Sequence, residues 1–314
     1  MKHTCGKLKL CSILLTAAMI CTSCAPAGPP SGESASGVSA ETSSAVPAEA
    51  ESPSVTLPET SEAPETSKIS ETSEAPETAA ETKKDISQTV TRYKIAEGTA
   101  EENEVVRIVS DNPGPTVYIV GGIHGDELAG WNTANRLKDE LKITAGTVYI
   151  LSPANLSGAA AETRYVTDSG DLNRAFPGDL SSDDAAHRIA AVIFNEIKDK
   201  MPDLLLDLHE ARYVVGGEKP GGLANCLIYT DDSKIADMLF TFVEKNEAGE
   251  LCSEKFALTV PGKTGSINRN VTDLLGIPSI TTETWRGKDL ELRIADQMEI
   301  VHFCLAYYGM MDPE

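Results

Sequence analysis

The chain has 314 residues and a formal charge of −21 at pH 7, with 48 acidic residues against 27 Lys and Arg. A surface this acidic repels a phosphate backbone, so a nucleic-acid-binding role is excluded. Composition changes sharply along the chain, so only part of its length can be core.

The first 24 residues read as a secretion signal. Lys2, Lys7 and Lys9 make a basic start, and Leu8 to Ile20 is mostly apolar. That run falls short of the roughly 20 residues a membrane-spanning helix needs. Thr22-Ser23-Cys24 resembles the end of a lipobox, with Cys21 where that motif usually has Leu, and predicts lipidation of Cys24. The alternative is cleavage after Ala25 or Ala27, giving a freely secreted protein. Residues 25–88 are almost entirely Ala, Ser, Thr, Pro and Glu, with the string E-T-S-E-A-P-E-T starting at Glu59 and again at Glu71. The segment holds no Phe, Trp or Tyr, so it cannot bury enough apolar surface to offset its ordering entropy. It predicts a disordered, extended, acidic tether. Residues 89–314 remain for one α/β domain with a substantial core.

Within that domain strands and helices alternate. Thr116 to Val120 reads as a buried strand ending in Gly121-Gly122, and Glu127 to Leu141 as an amphipathic helix. Thr147 to Leu151 is the next strand, followed by a long loop from Ser152 to Pro177. Ser182 is the expected N-cap of a helix over Asp183 to Lys200. Strands are predicted at Leu204 to Leu208, Asn225 to Tyr229 and Ile280 to Thr282, and helices at Asp232 to Glu247 and Leu290 to Tyr308. Such alternation argues for a three-layer α/β/α sandwich around a mostly parallel mixed sheet.

Ligands of such sheets bind beyond the carboxyl ends of the strands. His124, His209 and Glu283 each fall at or just after a predicted strand end. Two imidazoles and a carboxylate, from His124, Glu127 and His209, make one catalytic zinc's protein ligand set with a position left for water. H-x-x-E alone is a weak signal; its place after a strand and two glycines, which let backbone approach a ligand, strengthens it. His187 and His302 read as structural, and His3 leaves with the signal. Cys226, Cys252 and Cys304 permit at most one disulfide within the domain, and buried, inert thiols are the expected state.

Taken in order, H-G-D-E at His124, D-L-N-R-A-F-P-G at Asp171 and D-L-H-E-A at Asp207 resemble the zinc carboxypeptidase superfamily. The similarity spans roughly Thr116 to Trp285 and includes the succinylglutamate desuccinylase and aspartoacylase branch. The resemblance implies one zinc on His124, Glu127 and His209, and Glu283 as general base and acid. It implies Asn173 and Arg174 as the grip on a substrate carboxylate, and Arg164 as the group that polarises the scissile carbonyl.

Two departures bear on the reaction. The place of the loop tyrosine that carboxypeptidases often use falls near Val260; Tyr213 and Tyr229 are the possible substitutes. Aspartoacylase-type enzymes carry a β-rich domain after the catalytic Glu, whereas 31 residues follow Glu283, as in a carboxypeptidase or a compact cell-wall peptide amidase. The expectation is an extracellular, lipid-anchored zinc hydrolase that cuts an amide near a carboxylate, in a peptide or an N-acyl amino acid. The alternatives are an N-acyl amino acid deacylase and a non-catalytic zinc- or ligand-binding envelope lipoprotein.

Overall fold

The computed structural model describes residues 87–230, 233–259 and 262–312. The predicted signal, Cys24, the tether up to residue 86 and Val260 lie outside the described residues.

The strands are β1 (Gln88–Ile95), β2 (Asn103–Ser110), β3 (Thr116–Gly121), β4 (Thr147–Leu151), β5 (Leu204–Ala211), β6 (Cys226–Tyr229), β7 (Ala257–Thr259) and β8 (Ser279–Trp285). They form one sheet in the order β1-β2-β4-β3-β5-β8-β6-β7. The central strands β4, β3, β5 and β8 run parallel, whereas β1 and β2 are antiparallel additions at one side. Strand β6 runs antiparallel to β8. The sheet is therefore mixed with a parallel heart, as the alternation predicts.

The flanking helices are α1 (Leu128–Glu140), α2 (Leu156–Ala161), α3 (Ala185–Lys200), α4 (Ser233–Ala248), α5 (Ile267–Leu275) and α6 (Leu290–Tyr307). Because side chains alternate along a strand, each central strand feeds two cores. Val117, Ile119, Leu204 and Leu206 pack with Leu137 of α1, Phe242 of α4 and Ile300 of α6. Tyr118, Val120 and Leu205 pack on the other face with Ile193 of α3 and Val271 of α5.

Several expectations need correction. The sheet starts at Gln88 rather than Thr116, and Gln88 lies one residue inside the predicted tether. Strand β1 is mostly exposed and offers no long apolar run, but V-V-R-I-V in β2 carried a readable signal. The loop from Ser152 to Pro177 contains α2 and a short 3-10 turn at Leu172–Arg174. Asp184, not Ser182, caps α3, its carboxylate accepting from the Ala186 N–H; Ser182 instead accepts from the Asp184 N–H. Helix α5 is a further element beyond the predicted ones: Ser266 caps its start and Gly276, at φ 69°, ends it.

Candidate metal centre and active site

The site lies at the carboxyl ends of β3, β5 and β8. After β3 the chain turns through Gly122, whose φ of 77° is a left-handed conformation that favours glycine. The room at the glycines is filled by protein rather than ligand. A Cβ on Gly121 would lie 2.6 Å from the Gly130 carbonyl, and one on Gly122 2.9 Å from Pro153 and Trp131. This tight packing delivers His124 and, at the head of α1, Glu127. Strand β5 runs on past its predicted end, so His209 sits within it, level with Glu283 of β8 in the parallel register. Asp207, His209, Thr281 and Glu283 thus share the sheet face that carries α5.

His124, Glu127 and His209 are almost fully buried, at 3%, 2% and 1% exposure. One ligand atom from each lies within 4.8 Å of the others. Nδ1 of His124 is 2.7 Å from Glu127 Oε1, and Nδ1 of His209 is 2.6 Å from Glu127 Oε2. The two Nδ1 atoms are 3.1 Å apart. On the far side of each ring a carboxylate takes Nε2: Asp171 Oδ1 at 3.1 Å for His124, Asp207 Oδ2 at 3.0 Å for His209. A hydrogen on each Nε2 leaves the Nδ1 lone pairs facing each other and Glu127. Three electron-pair donors turned on one another require protons or a cation between them. The donor set, the open side toward a cavity and the outer carboxylates all fit a zinc ion.

The electrostatics express the same demand. Burial would lift the Glu127 carboxyl, but His124 and His209 outweigh it and hold it well below the carboxylate range. Burial would lower His209, yet Asp207 and Glu127 drive it well above the usual imidazole value. Glu283 is half-buried and lines the cavity. Burial, with further contributions from Glu127 and Asp207, pushes its carboxyl up to about 8 against the opposing effect of His209 and Arg164.

His124, Glu127 and Glu283 border a cavity of about 510 Å³, together with Arg164, Asn173, Arg174, Tyr213 and Arg286. Arg164 is held beside the cluster by two carboxylates. Its Nε and Nη2 donate to Asp171 Oδ2 at 3.2 and 2.9 Å, and its Nη1 stands 3.3 Å from Glu127 Oε1. Arg174 is exposed and donates to the Asn173 carbonyl at 2.5 Å; no carboxylate pairs with it among the described residues. Asn173 is more committed than its sequence position suggests. Its Oδ1 accepts the Ile267 N–H at 3.0 Å, which ties the turn to α5, and its Nδ2 lies 3.3 Å from His209 Nε2. Tyr213 lines the cavity and Tyr229 does not. His187 and His302 lie on α3 and α6, away from the cluster.

Sequence reasoning left Asp171 and Asp207 without roles, although both stand inside the quoted motifs. Two-residue spacing on a strand puts Asp207 on the His209 side, a signal that was available. Arg286 was also missed. It pairs with Asp126 at 2.8 Å and reaches Glu127 Oε1 at 3.2 Å from just beyond β8, a contact only the folded chain creates.

Comparison with known proteins agrees with this geometry. Residues 113–249 match the family model of the succinylglutamate desuccinylase/aspartoacylase catalytic domain. Over that stretch, under half of its length, the chain is similar to that catalytic domain. An N-alpha-acetyl-L-2,4-diaminobutyric acid deacetylase from Halomonas elongata is 36% identical over 107 residues, covering 33% of this chain and 31% of the relative. The match thus spans about a third of that relative's length. An aspartoacylase family protein from Mesorhizobium loti superposes with a TM-score of 0.53 at 25% identity, over 72% of this chain and 68% of the other. The fold is shared with Helicobacter pylori Csd4, a D,L-carboxypeptidase, at a TM-score of 0.56 and 19% identity, over 63% of this chain and 51% of that one.

Proposed function

We propose that this chain is a zinc-dependent hydrolase that cleaves an amide bond near a substrate carboxylate, in the manner of a carboxypeptidase or cell-wall peptide amidase. The observation that carries the reading is the convergence of the Nδ1 atoms of His124 and His209 on the Glu127 carboxylate, at the edge of a cavity that also holds Glu283, Arg164 and Arg174. His124, Glu127 and His209 would hold the ion, and zinc bound there supplies an acidified water and a Lewis acid for the carbonyl. Glu283, a carboxyl raised by burial and standing beside His209 in register, accepts the water's proton and returns it to the leaving amine. Arg164 Nη1, 3.3 Å from Glu127, offers a donor to the oxyanion that develops on the carbonyl. Arg174, without a carboxylate of its own, offers a planar fork to the substrate's carboxylate, and Asn173 holds that turn against α5.

A second reading, an N-acyl amino acid deacylase, is favoured by the match over residues 113–249 and by the 36% identical deacetylase. Mass-spectrometric profiling of products from cell-wall peptides, dipeptides and N-acyl amino acids separates the two. Chelation should abolish turnover and zinc restore it. Stoichiometric binding without turnover of any substrate would instead favour a non-catalytic binding protein.

The N-terminal sequence supports a location on the outer face of the membrane, with a lipid on Cys24 and the residues before β1 as spacer. The intact mass of the mature N-terminus tests this, and an unmodified terminus at residue 26 or 28 would point to free secretion.

A further inference from the structure

The floor of the cavity carries a recognition element that the hydrolytic chemistry leaves unused. Asn268, in the first turn of α5, is 1% exposed and lines the cavity. Its Nδ2 donates to the Ile228 carbonyl at 3.2 Å, which settles the orientation of the amide and leaves Oδ1 without a partner among the described residues. A buried acceptor left unpaired is costly, and such groups normally meet a donor. Access to Oδ1 is kept open by Gly262, another cavity residue, where a Cβ would lie 2.9 Å from that oxygen. Thr281 adds to the same character. Its hydroxyl spends its hydrogen on Asp207 Oδ2 at 3.2 Å, so it turns only lone pairs elsewhere. Ile228 supplies an apolar wall.

The distance from Asn268 to the carboxylate anchor is held by backbone. The Ile267 N–H donates to Asn173 Oδ1 at 3.0 Å, and the Phe176 N–H donates to the Gly265 carbonyl at 3.1 Å. Gly265 packs so closely on the Arg174 backbone that a Cβ would lie 2.4 Å from its carbonyl oxygen. The start of α5 is thereby strapped to the Asn173-Arg174 turn.

We propose that Asn268 selects the side chain of the residue whose carboxylate Arg174 holds, and that it takes a short side chain tipped with an N–H or O–H donor, as in an ω-amino or ω-hydroxy amino acid. The inference rests on Arg174 as carboxylate anchor. Three amino acids of equal length test it: L-2,4-diaminobutyric acid, L-homoserine and L-norvaline, bound to the zinc-loaded full chain and followed by calorimetry. At least one donor-tipped ligand should bind about tenfold or more tighter than norvaline, because norvaline leaves Oδ1 unpaired. The ammonium and hydroxyl ligands distinguish a charged from a neutral donor. Asn268→Leu should bring the three affinities within about threefold. Gly262→Ala, which blocks Oδ1 but keeps the bond from Asn268 to Ile228, should do the same. Equal affinities in the parent protein, no binding of any of the three, or a preference that survives both variants would overturn the proposal. A preference without turnover of the N-acetylated forms would uphold Asn268 and remove the deacylase reading; turnover without preference would do the reverse.

Discussion

Replacing Asp171 with Asn isolates what a charge behind a metal ligand contributes. Asp171 Oδ1 accepts from His124 Nε2 at 3.1 Å and from the Asn173 N–H at 2.9 Å. Both bonds survive if the Asn carbonyl takes the Oδ1 place. The amide nitrogen then faces Arg164, whose Nε and Nη2 lose an acceptor at 3.2 and 2.9 Å. Burial works against a charged Asp171, but His124 and Arg164 hold its carboxyl well below the ordinary range, so the native side chain is anionic at all working pH values. Losing that charge makes the imidazole a poorer donor while the ring stays aligned. Loss of such a partner typically weakens metal affinity by ~10- to 100-fold, or ~1.4–2.7 kcal/mol. A zinc titration against a chromophoric chelator measures this, with thermal unfolding of the metal-free protein as the control. Zinc affinity within about twofold of the parent would refute the argument. So would a drop in metal-free stability as large as the loss in zinc binding, since Asp171 would then act through the fold.

Glu283→Gln should bind zinc normally yet lose about 10²- to 10⁴-fold in kcat, the usual contribution of a positioned acid-base group; near-full activity would sink the assignment. Arg174→Ala should lower kcat/KM for carboxylated substrates and leave their amidated or esterified forms little changed, as paired kinetics on the two series would show. Gly125→Ala should destabilise the protein by ~1–3 kcal/mol and impair zinc uptake. The added Cβ would lie 1.9 Å from the Gly158 backbone, so the His124 turn and α2 must move apart; chemical denaturation and the zinc titration read both effects. Burial pushes the thiols of Cys226 and Cys304 up to about 12, and that of Cys252 well up, with added repulsion from Asp296 and Glu299. All three are free, and they should resist alkylation at pH 8 until the chain unfolds, as peptide mapping would reveal.

Much of this protein is written locally. The period-2 and helical patterns placed β4 to the residue and α1 and α6 within a residue at either end, because burial on one face dictates them. The metal cluster was legible too: His124 and Glu127 share one turn, and His209 ends a run of buried aliphatics. The edge strand β1 was not, since a strand exposed on most of its length leaves little apolar pattern.

Local pattern also could not say what each polar side chain would meet. Asp171 and Asp207 stood in plain view, but their work depends on rings delivered from β3 and β5. Asn173 looked free to grip substrate until α5 arrived to occupy its oxygen. Arg286 and Asn268 had no signal, because their partners lie 160 and 40 residues away in the chain. The central strands, the long helices, the metal-type donors and the order of the motifs follow from periodicity and residue chemistry alone. Tertiary structure decided the unpaired oxygen on the cavity floor and the carboxylates behind the histidines. Hydrogen-bond saturation is a property of neighbours in space, and only the closed sheet supplies them.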